Sequence, residues 1–530
     1  MMRTISRREF SRLMSSAAAA SVVAPLGLLN ARVALANGPG GTASFSVPGF
    51  GPISPVVPNN TAELTSVAGA GDLSGVPLLQ LPAGFQYTAI SIRGDRMSDG
   101  NLVPGDHDGM AAFYAGRGQY ALVRNHELSI IESEAGDITG CLAANGKQYD
   151  PFQNEAAGLG GGGTSTVIVD LEGRVVQDYV SLGGTIRNCA GGPTPWGSWI
   201  SCEENVTTPA SDGRAMMKHG YNFEVPFALG EAVDPIPLVD MGRMNHEAVS
   251  VDETTGYIYE TEDRGDSAYY RFVPKVRGIR GFGALQEGGD LYAMRIKPGQ
   301  RSLRDGSPLP TTFANGTEVV DTRGTGRGAP ASFLPFLGQP LAVEWVRLED
   351  VDPEGDTLRA EAQAKGASIF WRGEGAWQFQ GKHYWVNSGA GDAREGQVMV
   401  YDPATETVTL IVESTDENLL DGPDNITVGR DGTLYLCEDG SSGTPGAPNF
   451  SQRVVGVDAT GGLFTFAQNN IDTSEFCGAC LDPVGRRMFV NLQGIGITFA
   501  IWRSDNAPIT LGAPFGQRPS SAPAGRGHQR

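Results

Sequence analysis

Residues that can bind metal ions recur along this 530-residue chain. The stretch NCAGGPTPWGSWISCEEN, Asn188 to Asn205, places a cysteine before a Gly pair and ends on two carboxylates and an amide. The complete candidate set is Asp108, Glu127, Cys189, Glu203, Glu247, Glu262, Glu374, Asp424, Glu438 and Glu475. Carboxylates with few imidazoles favour calcium or magnesium over zinc, and a thiolate among them points to a transition metal such as iron.

The elements that position these residues form a repeat. In each unit a polar or ligand-type residue opens a short strand, a Gly-containing turn follows, and a second strand ends on an acid or amide. Six such hairpins, with further strands between them, predict a six-bladed β-propeller whose inner strand ends converge on a central channel. A long insertion, roughly 271–368, separates the third and fourth units. A β-sandwich or barrel remains the alternative, because hairpins with acidic ends occur in any β protein.

Composition and the N-terminal segment restrict the partners. The 60 acidic and 40 basic residues give a net charge of −20, which repels nucleic acid and anionic lipid. Residues 1–36 combine SRREFSR with an apolar run and the small-residue site ALA, which is typical of a twin-arginine signal. An ordinary secretory peptide is the alternative. We therefore expect a periplasmic or extracellular monomer that uses the twin-arginine export machinery and has no stable membrane span.

The remaining chain divides into an extended lead-in over 37–75, a propeller domain over 76–514 and a disordered tail over 515–530. A helix is expected within Leu348 to Ala367. The segment DVDPEGDTLRAE, Asp350 to Glu361, has the spacing of a calcium loop, but its proline favours a solvated acidic loop. Cys202 and Cys437 are predicted to be buried thiols, and a disulfide between Cys477 and Cys480 remains open.

Four stretches together resemble the PhoX-type alkaline phosphatases: the Asn188–Asn205 motif, NHEAVSVDETTGYIYETEDRGDSAYYRFVP, GASIFWRGEG, and DGPDN followed by LYLCEDG. The resemblance extends from about Leu81 to Trp502. It implies a six-bladed propeller that holds ferric iron and calcium and hydrolyses phosphate monoesters, with diesters as a further class. Two stretches of the sixth unit, SEFCGACLDPVG and NLQGIGITFAIW, depart from the family pattern.

The resemblance also implies residue roles. Cys189 would be the thiolate ligand to iron, and Asn205 and Arg372 would hold the phosphoryl oxygens. The carboxylate ligands that it implies are Glu247, Glu262, Glu374 and, within HGYNFEV, Glu224, whereas Glu203, Asp424, Glu438 and Glu475 follow from repeat position. From the residues alone, Arg372 and Glu374 share one strand face and fit either a phosphate clamp or a plain salt bridge.

A metal-held oxo or hydroxide would then attack phosphorus, so no protein nucleophile is required. Two other functions remain open. A calcium-dependent lactonase-type propeller would need a carboxylate–calcium centre but no thiolate. A non-catalytic propeller would bind a ligand without turnover.

Overall fold

The computed structural model describes residues 49–130, 139–278, 281–440 and 452–511. Apart from short 3-10 turns, the regular secondary structure in these ranges is β-strand, with one α-helix, α1 (Leu358–Ala364). The strands are β1 (Ile53–Val56), β2 (Leu79–Pro82), β3 (Phe85–Ile92), β4 (His107–Gly116), β5 (Gln119–His126), β6 (Gly162–Val169), β7 (Val175–Thr185), β8 (Asn188–Pro193), β9 (Ser198–Glu203), β10 (Asn222–Pro226), β11 (His246–Val251), β12 (Ile258–Glu262), β13 (Tyr270–Pro274), β14 (Gly289–Ile296), β15 (Thr311–Ala314), β16 (Thr317–Val320), β17 (Leu341–Arg347), β18 (Gly373–Phe379), β19 (Lys382–Asn387), β20 (Gln397–Asp402), β21 (Thr407–Glu413), β22 (Pro423–Val428), β23 (Leu434–Glu438), β24 (Arg453–Val457), β25 (Leu463–Asn469), β26 (Phe476–Leu481), β27 (Arg487–Leu492) and β28 (Ile497–Arg503).

Neighbouring strands in the sequence pair antiparallel and build sheets of unequal size. β4 to β7 form a four-stranded sheet, and β8 to β10 a three-stranded one. β11 to β14 and β18 to β21 are joined through β17 into nine strands, whereas β22 to β25 are extended by β2 and β1. β26 to β28 pair with the early strand β3, and β15 with β16 forms a separate hairpin.

The first strands of six hairpins lie side by side in a closed ring. β4 contacts β8, and contacts continue through β11, β18, β22 and β26 back to β4. Buried apolar residues fill the space between adjacent sheets, for example Tyr435, Phe466, Phe476 and Phe499 beside the closing strand β3. The predicted all-β propeller arrangement is therefore confirmed. The hydrogen-bonded sheets are not equal four-stranded units, because β17 merges two of them and β1 and β2 enlarge another.

The predicted insertion is partly ordinary propeller structure, because β13 and β14 continue the sheet begun by β11 and β12. The expected helix is present as α1. The acidic loop before it is held by its own partners: Glu361 accepts from the backbone N–H groups of Glu349 and Asp350, and Asp356 from Arg264 and Arg359. These contacts favour the acidic loop over the calcium loop.

The described part of the lead-in contains β1, which pairs with β2. The predicted signal segment and tail lie outside the described residues. Within the described ranges, no helix has the length and apolarity needed to cross a membrane. All six cysteines are free, so Cys477 and Cys480 do not form a disulfide, and Cys202 and Cys437 are buried thiols as predicted.

Candidate metal centre

A β-bulge recurs at one place in all six hairpins. Near the start of each hairpin, two successive paired residues are three positions apart on the first strand but only two positions apart on the second strand. The shifts lie at His107/Met110, Asn188/Gly191, His246/Val249, Gly373/Ala376, Pro423/Ile426 and Cys477/Cys480. A bulge bends the strand and redirects a side chain. In the first five hairpins the redirected position carries a ligand-type residue: Asp108, Cys189, Glu247, Glu374 and Asp424.

A second set of acids follows directly after the second strand of four hairpins. These residues are Glu127, Glu204, Asp263 and Asp439, and the fourth hairpin has Ser388 there. Because side chains alternate along a strand, each points opposite to the residue before it. The two sets, one from each strand, meet at the same end of the ring.

Three groups of ligand atoms lie close enough together to hold ions. Asp108, Glu127 and Cys189 form one group, and Cys189, Glu204 and Glu247 the second. Glu247, Glu374 and Asp424 form the third, and within each group the ligand atoms lie within 4.8 Å of one another. Cys189 and Glu247 are shared, so the groups form one continuous cluster, which we call the central cluster.

Burial and mutual repulsion control protonation in the central cluster. Burial, followed by the charges of Asp424, Glu204 and Asp108, raises the pKa of Glu247 well above its usual range. Burial raises the pKa of Glu127 to about 8, although the charge of Arg187 opposes the shift. Burial and the neighbouring Asp108 and Glu247 likewise raise the pKa of the Cys189 thiol. Bound cations would reverse these shifts, because they stabilise the ionised forms.

The residues present fit hard cations together with a thiophilic metal. Both carboxylate oxygens of fully buried Glu247, and Oδ1 of Asp108, have no hydrogen-bond partner among the described residues. Buried acceptors without donors are costly unless something outside the chain satisfies them. Carboxylate oxygens suit calcium, and the thiolate of Cys189 suits iron.

Two arginines flank the central cluster from equivalent positions. Arg187 precedes β8 and Arg372 precedes β18, and both adopt a left-handed backbone, with φ of 49° and 40°. Arg187 pairs with Glu127 and, at 2.7 Å, with Glu204. Arg372 donates from Nε and Nη2 to Asp263 at 2.8 and 3.1 Å and lies 2.9 Å from Glu374. The Arg372 side chain is 39% exposed, so its guanidinium lies between the cluster and solvent.

Four predicted ligands are held elsewhere. Glu203 accepts from His219 at 2.6 Å, Glu262 from Tyr270 at 2.8 Å, and Glu438 from Arg453 at 2.6 and 2.7 Å. Glu224, on β10, accepts from Trp196 and Ser198, both at 2.6 Å. None of the four belongs to the three groups found among the described residues. Their oxygens are occupied by donors of the chain.

Glu475 and Asn205 do not belong to the three groups, and Asn205 directly follows the cluster residue Glu204 in the sequence. Burial, followed by the charges of Asp439 and Asp424, raises the pKa of Glu475, which places it beside the central acids. Asn205 Oδ1 accepts from the backbone N–H of Thr207 at 2.7 Å. Its role in phosphate binding stays a prediction.

The sixth hairpin breaks the ligand pattern. Its bulge position is Gly478, with φ of 62°, and a Cβ there would lie 2.3 Å from the backbone oxygen of Asp108. A ligand side chain is therefore excluded from this position. Gln493 instead donates to Asp108 at 3.1 Å and to Glu127 at 2.8 Å, and Glu475 comes from the preceding loop.

Sequence reasoning missed Glu204, Asp263, Asp439 and Arg187, although a signal for the acids exists. When the strand ends RNHE, SCEE, ETED and LCED are aligned on Glu127, their last residues are Glu127, Glu204, Asp263 and Asp439. The predicted Glu203, Glu262 and Glu438 align with His126 instead. Of the aligned last residues, Glu127 and Glu204 belong to the three groups, whereas Asp263 and Asp439 lie outside them.

Comparison with known proteins identifies the family and the fold of the chain. The family model described as alkaline phosphatase PhoX matches residues 66–496. The chain resembles the structure of Pseudomonas fluorescens PhoX in complex with vanadate, a transition-state analogue. That match has a TM-score of 0.58 and 17% identity and covers 81% of this chain and 97% of that one. At this identity the likeness shows the fold.

Two weaker structural similarities carry no argument. The gluconolactonase XC5397 of Xanthomonas campestris has a TM-score of 0.32 at 11% identity, covering 87% of this chain and 98% of that one. The β-propeller domain of Myceliophteria thermophila Cps50 (Swd1) has a TM-score of 0.35 at 7% identity, covering 75% and 96%. A search of curated protein sequences finds no match.

Proposed function

This chain belongs to the alkaline phosphatase PhoX family and is a phosphatase, and we propose that it hydrolyses phosphate monoesters, with diesters as a further class, at a centre of ferric iron and calcium. The continuity of the central cluster carries this proposal. The first and second groups share Cys189, and the second and third share Glu247, so the cluster suits several ions side by side. The six hairpins of the ring are, in this proposal, the six blades.

The three groups of ligand atoms indicate which residues would bind each metal. Cys189 would bind iron, with Asp108, Glu127, Glu204 and Glu247 around it. Glu374 and Asp424 would bind calcium together with Glu247. Asp263 and Asp439 lie outside the three groups, and Asp263, both of whose oxygens accept from Arg372, would position that arginine rather than bind metal.

Bound metal ions would supply Lewis acidity and a nucleophile at neutral pH. The chain's own residues would bind and orient the phosphoryl group. Asp263 fixes the Arg372 guanidinium through two parallel bonds, which leaves Nη1 and the exposed edge for phosphoryl oxygens. Charge on those oxygens grows in the transition state, so a fixed cation beside them favours the reaction. Asn205, which follows Glu204 directly in the sequence, would donate from its amide.

Export by the twin-arginine route to the periplasm or the exterior, as a monomer, is part of the proposal. The leader sequence supports it, because paired arginines precede an apolar run and a small-residue site. That route carries folded proteins, which suits a chain that is loaded with metal before transport.

Metal analysis combined with spectroscopy tests the proposed function. Protein purified from its native export route should contain iron and calcium, hydrolyse an aryl phosphate and show a visible thiolate-to-iron absorption band. Cys189→Ser should abolish the band and the activity. Cys202→Ser, which changes a buried thiol outside the cluster, should keep both. An active enzyme without iron would contradict the assignment of the metal. Lactone cleavage without phosphatase activity would favour the lactonase alternative, and intact folding without turnover would favour the binding protein.

A further inference from the structure

A cluster of arginines lies beside the proposed phosphate clamp and has no role in the reaction described above. Arg327 ends a short 3-10 turn, Thr325–Arg327, between β16 and β17, and Arg394 belongs to the loop between β19 and β20. The second loop begins at Ser388, whose backbone N–H donates to the carbonyl of Arg372 at 3.0 Å. The arginines Arg327, Arg372 and Arg394 therefore lie at the same end of the ring as the central cluster.

Arg327 is fixed in place without being neutralised. Its Nε donates to the carbonyl of Gly389 at 2.6 Å, and its guanidinium lies 4.5 Å from the centre of the Trp371 ring. Arg394 Nε donates to the carbonyl of Gly326 at 2.6 Å. In the described part of the chain these bonds go to backbone carbonyls, not to carboxylates. The terminal nitrogens of both guanidinium groups stay available for another acceptor.

The nearby acids have other partners. Asp392 accepts from the Thr325 backbone N–H and hydroxyl, both at 2.9 Å, and from Ser332. Burial, followed by the charge of Asp421, raises the pKa of Glu395 to about 7, so this carboxyl is only partly ionised near neutral pH. The charge of Glu395 offsets the positive charge at Arg327 only in part, because the net shift of the Arg327 pKa is still downward.

The charges of the neighbouring arginines act on Arg327. Burial, followed by the charges of Arg394 and Arg372, lowers the pKa of Arg327. Arg372 is paired with Asp263 and Glu374, whereas Arg327 and Arg394 make no ion pair within the described ranges. An anion held between them would relieve the repulsion, and guanidinium groups bind phosphoryl oxygens in pairs of parallel bonds.

We propose that Arg327 and Arg394 form a second anion subsite, which binds a phosphoryl group on the leaving-group side of the substrate while Arg372 holds the phosphoryl group that is hydrolysed. The subsite would favour substrates with two phosphoryl groups, such as pyrophosphate, nucleoside diphosphates and bisphosphate esters. This inference rests on the proposed function, since it assumes that Arg372 contacts the reacting phosphoryl group.

Equilibrium binding tests the subsite without turnover. Calorimetry would compare methylenebisphosphonate with methylphosphonate on metal-loaded protein at a fixed free calcium concentration. The wild type should prefer the bisphosphonate. Arg327→Gln and Arg394→Gln should each lower that preference by about tenfold or more, as expected for loss of a charged hydrogen-bond donor. Arg304→Gln removes one exposed arginine outside the cluster and should leave the preference unchanged.

Kinetics separates failure of the subsite from failure of the function. The kcat/KM ratio for pyrophosphate over an aryl phosphate should fall in both variants by a similar factor. If the wild type hydrolyses neither compound but keeps an arginine-dependent preference for the bisphosphonate, the subsite stands and the proposed function fails. If aryl phosphate is hydrolysed and neither variant changes the binding preference, the subsite is refuted. Should Arg327→Gln unfold because Trp371 loses its stacking partner, the exposed Arg394→Gln carries the test.

Discussion

Carboxylates inside and just outside the central cluster differ in what neutralises their charge. We call those within the cluster the inner layer, and Glu203 and Glu438, each of which precedes an acid at its strand end, the outer layer. In the central cluster, Glu247 has only acids and a thiol around it, and its oxygens lack donors among the described residues. One layer further out, Glu438 is bonded to Arg453 and Glu203 to His219. Carboxylates of the outer layer are thus bonded to donors of the chain, whereas the oxygens of Glu247 are left to a proton or a bound cation.

This difference teaches that residue type alone does not identify a ligand. Glu203 and Glu204 are adjacent and chemically identical, yet Glu203 is bonded to His219 and Glu204 belongs to the central cluster. The alternation of side chains at the end of β9 decides between them. Three predictions test the contrast between the layers.

The largest effect is expected from the inner layer. Glu247→Gln removes a shared negative ligand at almost constant volume, so metal content should fall and turnover of an aryl phosphate should drop by more than about 10²-fold. Metal analysis and kcat would be measured together. Glu438→Gln is the matched control in the outer layer: it leaves Arg453 buried without its partner and should lower the free energy of unfolding by about 3–5 kcal/mol. It should keep its metal. Equal metal loss in the two variants would mean that the layers do not differ.

A smaller effect is expected at the boundary of the central cluster. Arg372→Lys keeps the charge but loses the planar fork, so turnover and inhibition by inorganic phosphate should both weaken, with kcat reduced by about 10²-fold or somewhat less. Arg453→Lys is the matched control, because Arg453 also makes two parallel bonds to one carboxylate. That variant should change the melting temperature and not the phosphate inhibition. Unchanged inhibition in Arg372→Lys would leave Arg372 as a structural salt bridge.

The smallest effect concerns pH in metal-free protein. The folded state raises the pKa of Glu127 to about 8, and of Glu247 and Glu374 well above the usual value of 4.5. The folded protein therefore binds protons that the unfolded chain releases, and stability should fall as pH rises from about 4.5 through 8. Melting temperatures with a chelator should show this slope, and calcium should flatten it. His219, whose pKa is raised to about 9, loses its contribution between pH 6.5 and 9 in both samples, so the difference between the two slopes isolates the cluster.

The repeat made much of the fold predictable from the sequence. The alternation of ligand-type residues, glycine turns and acidic strand ends identified the six hairpins and brought Cys189, Glu247, Glu374 and Asp424 into one cluster. Register was harder to predict. A bulge adds one residue to each first strand, and the strand end decides which of two adjacent acids faces the cluster. The sequence analysis therefore selected Glu203, whereas the neighbouring Glu204 belongs to the three groups.

The surroundings of Glu224 and the loss of a ligand from the sixth hairpin could not be predicted from sequence patterns. Glu224 has the right residue type on a third strand, but Trp196 and Ser198 occupy it. In the sixth hairpin, close contact with the backbone of Asp108 leaves space only for Gly478. These outcomes depend on which strands become neighbours in the ring, and no local sequence pattern contains that information.

The closing strand has a consequence for the order in which the protein is made. β3 is synthesised among the first elements, yet it pairs with β28, close to the end of the described chain. Such a non-local pairing forms late, since chain entropy must be lost before the contact is gained. Asp108 and Glu127 of the first hairpin meet Gln493 of the sixth only after this closure. A ribosome-bound nascent chain would therefore hold an open, incomplete cluster, and high-affinity metal capture would begin only after the last blade has left the ribosome.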